Sequence, residues 1–398
     1  MKLSLRDAAC NAGKRRRGVI ASAGLFSLAA LMLAPIIHAA TRPDAIAAEP
    51  MTVETLGKPG PHWVWTNSMM APSARLFDAD TGRMLGMLTT TGTTNTVATN
   101  LPRREIVFPG SYYSRYSHGT RSDVVGIYSL DDLQPIAEVA LPDGPPKIAN
   151  GYPIQHYNSL LDGGRWLAIY NFNPTMSVSL VDVAARSYGG EILTAGCGLV
   201  FPAGADAFLQ LCNDGTVQRV TVDATGREVS RERTKKFFDS ENNPLMDKGA
   251  RGTERWWFST FSGELFGVSP ALDTVGPWSL HERAEDQGWR PGGRMPLAIH
   301  QAGGRLFVLM HEGGEDTHKH PGTEVWVYDM TSRERIRRVQ LRAPSPSIQV
   351  SQDDEPLLYA VNPDEFALDV YSATSGEHLR TITEVGFGVV LIEPFGSP

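Results

Sequence analysis

Short segments of alternating hydrophobic and polar residues recur along the chain, and each is followed by a polar turn and a second alternating segment. The clearest copies span residues 74–88, 324–338 and 367–380. Weaker copies span residues 125–141, 178–193, 217–231 and 265–278. Alternation with a period of two, interrupted by Asp, Ser, Thr and Gly, is typical of a β-hairpin. The sequence therefore predicts seven hairpins.

The residues that open the seven turns lie 41 to 60 residues apart; they are Asp78, Ser129, Asp182, Asp223, Ser269, Asp329 and Ser372. A further β-like segment precedes several hairpins, at residues 163–170, 255–260, 303–310 and 355–360. Helical periodicity is scarce, and short helices are expected only near residues 280–287. A strand-rich repeat of this length is typical of propeller blades. We predict an all-β, seven-bladed β-propeller, because a row of two-sheet sandwiches would not require one hairpin to recur seven times.

The N-terminal segment has the layout of a secretory signal peptide. Basic residues 14–17 precede an uncharged apolar run from residue 18 to about residue 37. Cleavage is expected beside Ala40 or after Ala47, of which we favour the second. The alternative is an uncleaved anchor, since the run approaches the roughly 20 residues that span a bilayer, and the paired arginines leave twin-arginine export open. The sequence predicts a signal peptide at 1–47, one propeller domain at 48–398 and a periplasmic location without a membrane anchor after cleavage.

Net charge and cysteine content agree with export. The full chain has a net charge of −7, and removal of residues 1–47 leaves 30 basic and 42 acidic side chains, a net charge of −12. So acidic a chain is not expected to bind nucleic acid. The predicted mature chain keeps only Cys197 and Cys212. An even pair in an oxidising compartment favours a disulfide over two buried free thiols.

Motifs of catalytic chemistry are missing from the predicted mature sequence. It contains no Gly-x-Ser-x-Gly elbow, no phosphate-binding Gly-x-x-x-x-Gly-Lys-Ser/Thr loop and no Cys-x-x-Cys. Residues 311–320 gather three histidines and three carboxylates, which could bind a metal. Helical zinc chemistry needs a second His where Glu315 stands, and glycines interrupt the helix. We interpret the segment as a solvated loop between strands and expect neither a metal site nor a catalytic residue in this chain.

An aromatic run, Tyr112, Tyr113, Ser114, Arg115 and Tyr116, follows a short predicted strand at residues 105–108. We expect this run to form a loop. Aromatic side chains with polar tips are enriched at protein interfaces. Composition alone supports an interface and ordinary blade packing equally.

Several stretches give the chain a resemblance to the heavy subunit of methylamine and aromatic amine dehydrogenases. They are residues 114–115 with 119–125, 276–280, 288–293 and 317–319. The resemblance implies a seven-bladed propeller in which the Cys197/Cys212 pair is the family's disulfide. It also implies a separate light subunit that carries tryptophan tryptophylquinone, so that none of the eight tryptophans in this chain is modified. Two heavy and two light chains would then oxidise a small primary amine and pass electrons to a blue-copper protein or a cytochrome.

The resemblance assigns one position of this chain to the substrate channel, the aromatic before Ser114-Arg115, which is Tyr113. The methylamine enzymes have phenylalanine at this position, so the hydroxyl group of Tyr113 predicts a different substrate preference. Arg294 replaces an expected aromatic. Residues 276–280 and 311–320 are closer to the aromatic amine branch. Two other functions stay open: a stand-alone periplasmic propeller that binds a ligand or protein, and a calcium or zinc hydrolase or lactonase.

Overall fold

The computed structural model describes residues 54–68, 70–92, 96–142 and 154–396, and the predicted signal peptide lies outside these ranges. The described chain forms seven antiparallel sheets, six with four strands and one with five. First strands of most successive sheets contact each other, and buried clusters link every pair of neighbouring sheets. The sheets are therefore the blades of a propeller, which confirms the predicted all-β fold and blade number. No helix among the described residues is both long and apolar enough to span a bilayer.

Within each blade the strands follow one another from the propeller axis outward. With the innermost strand first, blade 1 is formed by β29 (Val389–Pro394), β1 (Trp63–Ser68), β2 (Ser73–Asp78) and β3 (Arg83–Thr89). Blade 2 is formed by β4 (Ala98–Asn100), β5 (Glu105–Arg115), β6 (His118–Ser129) and β7 (Pro135–Ala140). Blade 3 is formed by β8 (Asn158–Leu160), β9 (Trp166–Asn171), β10 (Ser177–Asp182) and β11 (Ser187–Leu193). Blade 4 is formed by β12 (Cys197–Pro202), β13 (Ala207–Cys212), β14 (Val217–Val222) and β15 (Glu228–Arg233). Blade 5 is formed by β16 (Ala250–Arg251), β17 (Trp256–Ser259), β18 (Glu264–Val268) and β19 (Thr274–Ser279).

Blade 6 has a divided innermost strand, β20 (Trp289–Pro291) and β21 (Leu297–His300), both paired with the second strand. It continues with β22 (Arg305–Glu312), β23 (Gly322–Asp329) and β24 (Arg335–Ser345). Blade 7 is formed by β25 (Ile348–Val350), β26 (Leu357–Asn362), β27 (Ala367–Ser372) and β28 (His378–Ile382). Single 3-10 turns occur at Leu101–Arg103 and Ala284–Asp286. The turn at Ala284–Asp286 lies within residues 280–287, where short helices were expected.

All seven predicted turns join the third strand of a blade to its outermost strand. In each, the opening side chain accepts a hydrogen bond from a backbone N–H two to four residues later. In blade 1, for example, Asp78 Oδ1 accepts from the N–H of Asp80 at 2.9 Å. Short oxygen-bearing side chains favour such turns because they replace a missing backbone partner. This explains why Asp or Ser occupies the position in every blade.

The hydrophobic core lies between the blades. Of its six clusters of buried side chains, four are each shared by two adjacent blades, one by blades 3, 4 and 5, and one by blades 7 and 1 with Met295 of blade 6. Second strands such as β9 are buried along their whole length, whereas outermost strands such as β15 are largely exposed. A blade therefore buries its apolar faces only against its neighbours.

The first and last parts of the described chain close the ring in blade 1. Strand β29 pairs antiparallel with β1, with Val64 opposite Pro394 and Asn67 opposite Leu391. The cluster between blades 7 and 1 includes fully buried Leu391 and Ile392 from this strand. Closure thus leaves no blade without a neighbour.

Strand direction gives the ring two distinct faces. The seven predicted turns and the turns from first to second strands lie on one face, which we call the turn face. The opposite face carries the turns from second to third strands and the connections between blades, and we call it the crossover face. Long or irregular loops therefore belong mainly to the crossover face.

A disulfide joins Cys197 and Cys212, with an S–S distance of 2.05 Å. The two residues face each other in the register of β12 and β13. The bond therefore fastens the first strand of blade 4 to the second strand at the crossover face, which confirms the predicted pairing.

A polar channel runs along the propeller axis, and its lining includes residues from the first strands of all seven blades. The cavity in it has a volume of about 180 Å³. Glu393, near the end of β29, lies partly exposed in this channel and accepts a hydrogen bond from Gln155 at 3.4 Å. Loss of hydration raises the pKa of Glu393 to about 8, against the opposing effect of Gln155. Arg251 in the same lining is held by Asp162 in a bidentate ion pair.

Replacing both Cys197 and Cys212 with alanine should lower the melting temperature by several degrees while the far-UV circular dichroism of the ring is retained. The bond spans 15 residues, a loop that the chain-entropy model values at about 3 kcal/mol. Both side chains are buried, so alanine leaves no unpaired polar group. Thiol labelling of both positions in the unreduced, denatured wild type would contradict the bond.

Glu393→Gln should stabilise the protein increasingly as the pH rises from about 4.5 to about 8. Because the folded-state pKa is raised, the contribution of Glu393 to stability is complete below its unfolded pKa of 4.5 and is lost as the pH approaches 8. Urea unfolding at pH 5 and pH 8 measures the difference between variant and wild type, with exposed Glu377→Gln as the control. A difference independent of pH would show that Glu393 ionises normally.

Candidate functional site

The longest hairpin of the described chain projects from blade 2 at the crossover face. Strands β5 and β6 have 11 and 12 residues. Their pairing continues to Arg115 opposite His118, whereas β7 pairs with β6 only between Val124 and Tyr128. The outer part is thus a two-stranded ribbon, residues 111–123, which we call the blade 2 ribbon. The expectation of a loop after residue 108 is wrong, because β6 supplies backbone partners beyond Pro109.

Two of the three tyrosines of the aromatic run are exposed on the blade 2 ribbon. Tyr112 is 41% exposed, and Tyr116 at the tip is 98% exposed. Tyr116 also has a φ of 61°, in the left-handed region that bulky residues rarely adopt. Exposed aromatics on a projecting element are typical of interaction surfaces. Ordinary blade packing does not describe these two side chains.

Tyr113 is half-buried and lies opposite Arg121 in the ribbon. The Arg121 guanidinium carbon is 6.0 Å from the centre of the Tyr113 ring, at the outer limit of a cation–π contact. Arg121 also donates to Asp123 at 2.7 Å and to Ser111 at 2.8 Å. The Arg121 side chain, which these two hydrogen bonds hold in place, therefore lies near one side of the Tyr113 ring. Its role in a substrate path stays a prediction.

The other stretches that carry the family resemblance reach the same face. Residues 288–293 include β20, the first part of the divided innermost strand of blade 6, and residues 317–319 lie in the loop between β22 and β23. Residues 276–280 end the outermost strand of blade 5 at this face. The resemblance is thus concentrated where loops of the crossover face meet.

Residues 311 and 312 end β22, and residues 313–320 lie in the loop that follows. The interpretation as a solvated loop is wrong for His311, which is buried in the strand. His311 Nε2 lies 2.9 Å from Thr317 Oγ1, and the His318 ring stacks on Phe261 with centres 3.8 Å apart. Burial, followed by nearby positive charges, lowers the pKa of both histidines. They are therefore expected to be neutral at pH 7.

The carboxylates of this loop do not join its histidines in a metal-binding group. Glu312, Glu315 and Asp316 are exposed. Across the described residues, no three or more His, Cys, Asp or Glu side chains converge in a way that could hold a metal ion. The geometry gives no support to the calcium or zinc hydrolase hypothesis.

The structure also identifies two ionisable residues that the sequence analysis did not select. Glu393 faces the channel, and Lys248 is buried at the crossover face near Arg294. A carboxylate in the apolar strand 389–394 is a local signal that could have pointed to Glu393. Lys248 has no comparable signal, because its surroundings come from distant parts of the chain.

Solved structures with related folds support the propeller. The structure of dihydro-heme d1 dehydrogenase NirN in complex with DHE aligns with a TM-score of 0.55 at 14% identity, covering 87% of this chain and 78% of that chain. Hydrazine synthase of Kuenenia stuttgartiensis aligns with a TM-score of 0.54 at 12% identity, covering 79% and 94%. At such low identity these similarities concern the fold alone.

Sequence comparisons are more specific. Residues 66–394 match the family model "Methylamine dehydrogenase heavy chain (MADH)". The methylamine dehydrogenase heavy chain of Paracoccus versutus is 30% identical over 332 residues, covering 80% of this chain and 74% of the relative. That of Methylophilus methylotrophus is 28% identical over 328 residues, covering 80% and 79%. Since the matches extend over most of both chains, this chain belongs to the methylamine dehydrogenase heavy chain family.

Proposed function

We propose that this chain is the non-catalytic heavy subunit of a periplasmic amine dehydrogenase that deaminates primary amines oxidatively. Family membership over residues 66–394 carries the proposal. The missing catalytic motifs fit a division of labour in which a light subunit bears tryptophan tryptophylquinone. That quinone would supply the electrophilic carbonyl and accept the electrons of the amine. The heavy chain would hold the light subunit and shape the path of the substrate.

The crossover face is the proposed docking face for the light subunit. It carries the blade 2 ribbon with exposed Tyr112 and Tyr116, and the family stretches lie on it. Buried interface centres are enriched in tyrosine, which offers apolar area with a polar tip. An isolated two-stranded hairpin is only marginally stable in water. A partner that covers the ribbon would therefore stabilise it.

The proposed assembly of heavy and light subunits contains two heavy and two light chains. Electrons would leave the light subunit for a blue-copper protein or a cytochrome. Export by the N-terminal signal peptide would place this assembly in the periplasm, where the Cys197–Cys212 bond can form.

Tyr113 is the proposed contribution of this chain to substrate choice. The ring is half-buried beside Arg121 on the ribbon, close in sequence to the exposed Tyr112. The ring limits the width of a path along the ribbon, and its hydroxyl adds polarity that phenylalanine lacks. Methylamine and aromatic or aralkyl amines differ in the width they need, so this position would influence the choice between them.

Tyr116→Ala should weaken binding of the light subunit by tenfold or more without changing the melting temperature of the heavy chain. Removing an interface aromatic commonly costs about 1–2 kcal/mol or more, whereas a side chain that is 98% exposed contributes little to folding. Binding is measured with the light subunit purified from the native host. Ile336→Ala, which truncates a 50% exposed residue on the outermost strand of blade 6, is the control.

Analytical ultracentrifugation of the native material should find a complex of two heavy chains with two quinone-absorbing light chains. A heavy chain that stays monomeric in its native host would overturn the proposal. It would favour the alternative function, a stand-alone periplasmic propeller that binds a ligand or protein without catalysis.

Tyr113→Ala should change the ratio of kcat/KM for a bulky amine to that for a small amine by roughly tenfold or more, since one misfitted group in a pocket is worth about 1–3 kcal/mol. The reconstituted two-chain enzyme is assayed with methylamine and with an aralkyl amine. Tyr112→Ala is the matched control, because neighbouring strand residues point to opposite sides. An unchanged ratio with a much lower melting temperature would show that Tyr113 only packs the blade.

A further inference from the structure

A cavity at the crossover face has a strongly basic lining, and we call it the basic mouth pocket. Its volume is about 370 Å³. It is formed by segments that lead into blades 3 and 5, by Arg294 between the two parts of the divided first strand of blade 6, and by the turns between the second and third strands of blades 5 and 6. The charged or ionisable side chains of its lining are Asp247, Lys248, Arg294, His318 and Lys319. Ile154, Leu245, Met246 and Phe261 supply the apolar part.

Lys248 is the most confined cation of the pocket. Only 5% of the residue is exposed, and its Nζ donates to the carbonyl oxygen of Gly293 at 2.7 Å. An ammonium group has three donors, and the one hydrogen bond that the structure shows for Lys248 Nζ among the described residues is this bond to Gly293. Burial lowers the pKa of Lys248 to about 8; the charge of Asp247 opposes this shift, and the smaller effects of Arg294 and Lys319 add to it. The single hydrogen bond of its Nζ thus leaves ammonium donors available to a ligand in the pocket.

The groups around Lys248 are held in place by the fold. The N–H of Gly293 donates to the carbonyl of His318 at 3.1 Å, and the His318 ring is fixed against Phe261. Gly293 has a φ of 102°, and a Cβ there would lie 2.4 Å from the carbonyl oxygen of Pro346. Only glycine fits this close approach. The loops from blades 5 and 6 thus present their cations from a rigid base.

A second polar group of the pocket is the imidazole of His318. His318 Nδ1 is buried and has no hydrogen-bond partner among the described residues. A buried polar atom without a partner is costly unless a ligand or water satisfies it. An oxyanion can accept hydrogen bonds from both an imidazole N–H and ammonium groups. Its charge would also offset the excess of positive charge.

The local charge opposes that of the whole chain. The full sequence has a net charge of −7, yet the described part of the pocket lining has Lys248 and Lys319 in addition to Arg294, against the carboxylate of Asp247. Apolar walls reduce screening by water and strengthen attraction for an anion. We propose that the basic mouth pocket binds a small oxyanion group, with Lys248 and Lys319 as cationic ligands and His318 as a hydrogen-bond donor.

The site does not depend on the proposed docking of a light subunit, so it can be tested on the heavy chain alone. Inorganic phosphate is the probe, titrated by calorimetry at constant ionic strength with chloride as the balancing anion. We expect one phosphate per chain, and a roughly tenfold or greater loss of affinity in Lys248→Met, because hydrogen bonds to charged groups are the strong ones. Phosphate should raise the melting temperature of the wild type but not that of Lys248→Met.

Two further variants keep the test decisive if Lys248→Met does not fold. Lys319→Gln alters an exposed residue of the pocket and should weaken phosphate binding without disturbing the fold. Lys235→Met removes the same charge from an exposed position outside the pocket lining and should leave binding unchanged. Equal affinity in wild type and Lys319→Gln, or equal losses in Lys319→Gln and Lys235→Met, would overturn the proposal.

A competition experiment distinguishes a free ion from a carboxylate of the partner. If the light subunit displaces phosphate from the wild type and binds Lys319→Gln more weakly than Lys235→Met, the natural occupant is an acidic side chain of that subunit. If phosphate and the light subunit bind together, the occupant is a free anion. Both outcomes support an oxyanion site, and failure of the light subunit to bind at all would affect only the proposed function.

Discussion

Closure of the ring is the constraint on which the rest of the structure depends. Each blade has two apolar faces, and the buried clusters lie between neighbouring blades rather than within one blade. An open row of blades would leave one such face exposed at each end. Pairing of β29 with β1 removes both exposed faces at once. The stability of any single blade is therefore inseparable from the joint in blade 1.

Closure also explains why the two faces differ. On the turn face, outer hairpins are closed by a side chain that bonds the backbone of its own turn, as Asp329 does with Thr331. Such turns are short and self-contained. The crossover face must carry the chain from one blade to the next, and it has the blade 2 ribbon and the loop after β22. Since the ring is already rigid, these segments are free to vary, which suits a face that binds partners.

Local sequence signals were sufficient for the repeat but not for the site. Asp78 and its six counterparts mark the turns correctly because a turn is decided within a few residues. The length of β5 could not be inferred in this way. Pro109 and Gly110 suggest the end of a strand, but pairing of Gly110 with Val124 continues the ladder. Lys248 lies beyond local analysis for a similar reason, because its burial depends on residues far from it in the chain.

The ring brings together polar groups that are isolated in each blade. Strands of the innermost layer line one central channel, so ionisable residues from different blades lie close to the same axis. Glu393 lies among amide side chains such as Gln155 and has a raised pKa, whereas Lys248 lies among other cations and has a lowered one. Both groups are shifted toward neutrality by loss of water. A ligand of opposite charge would favour the ionised form of either group.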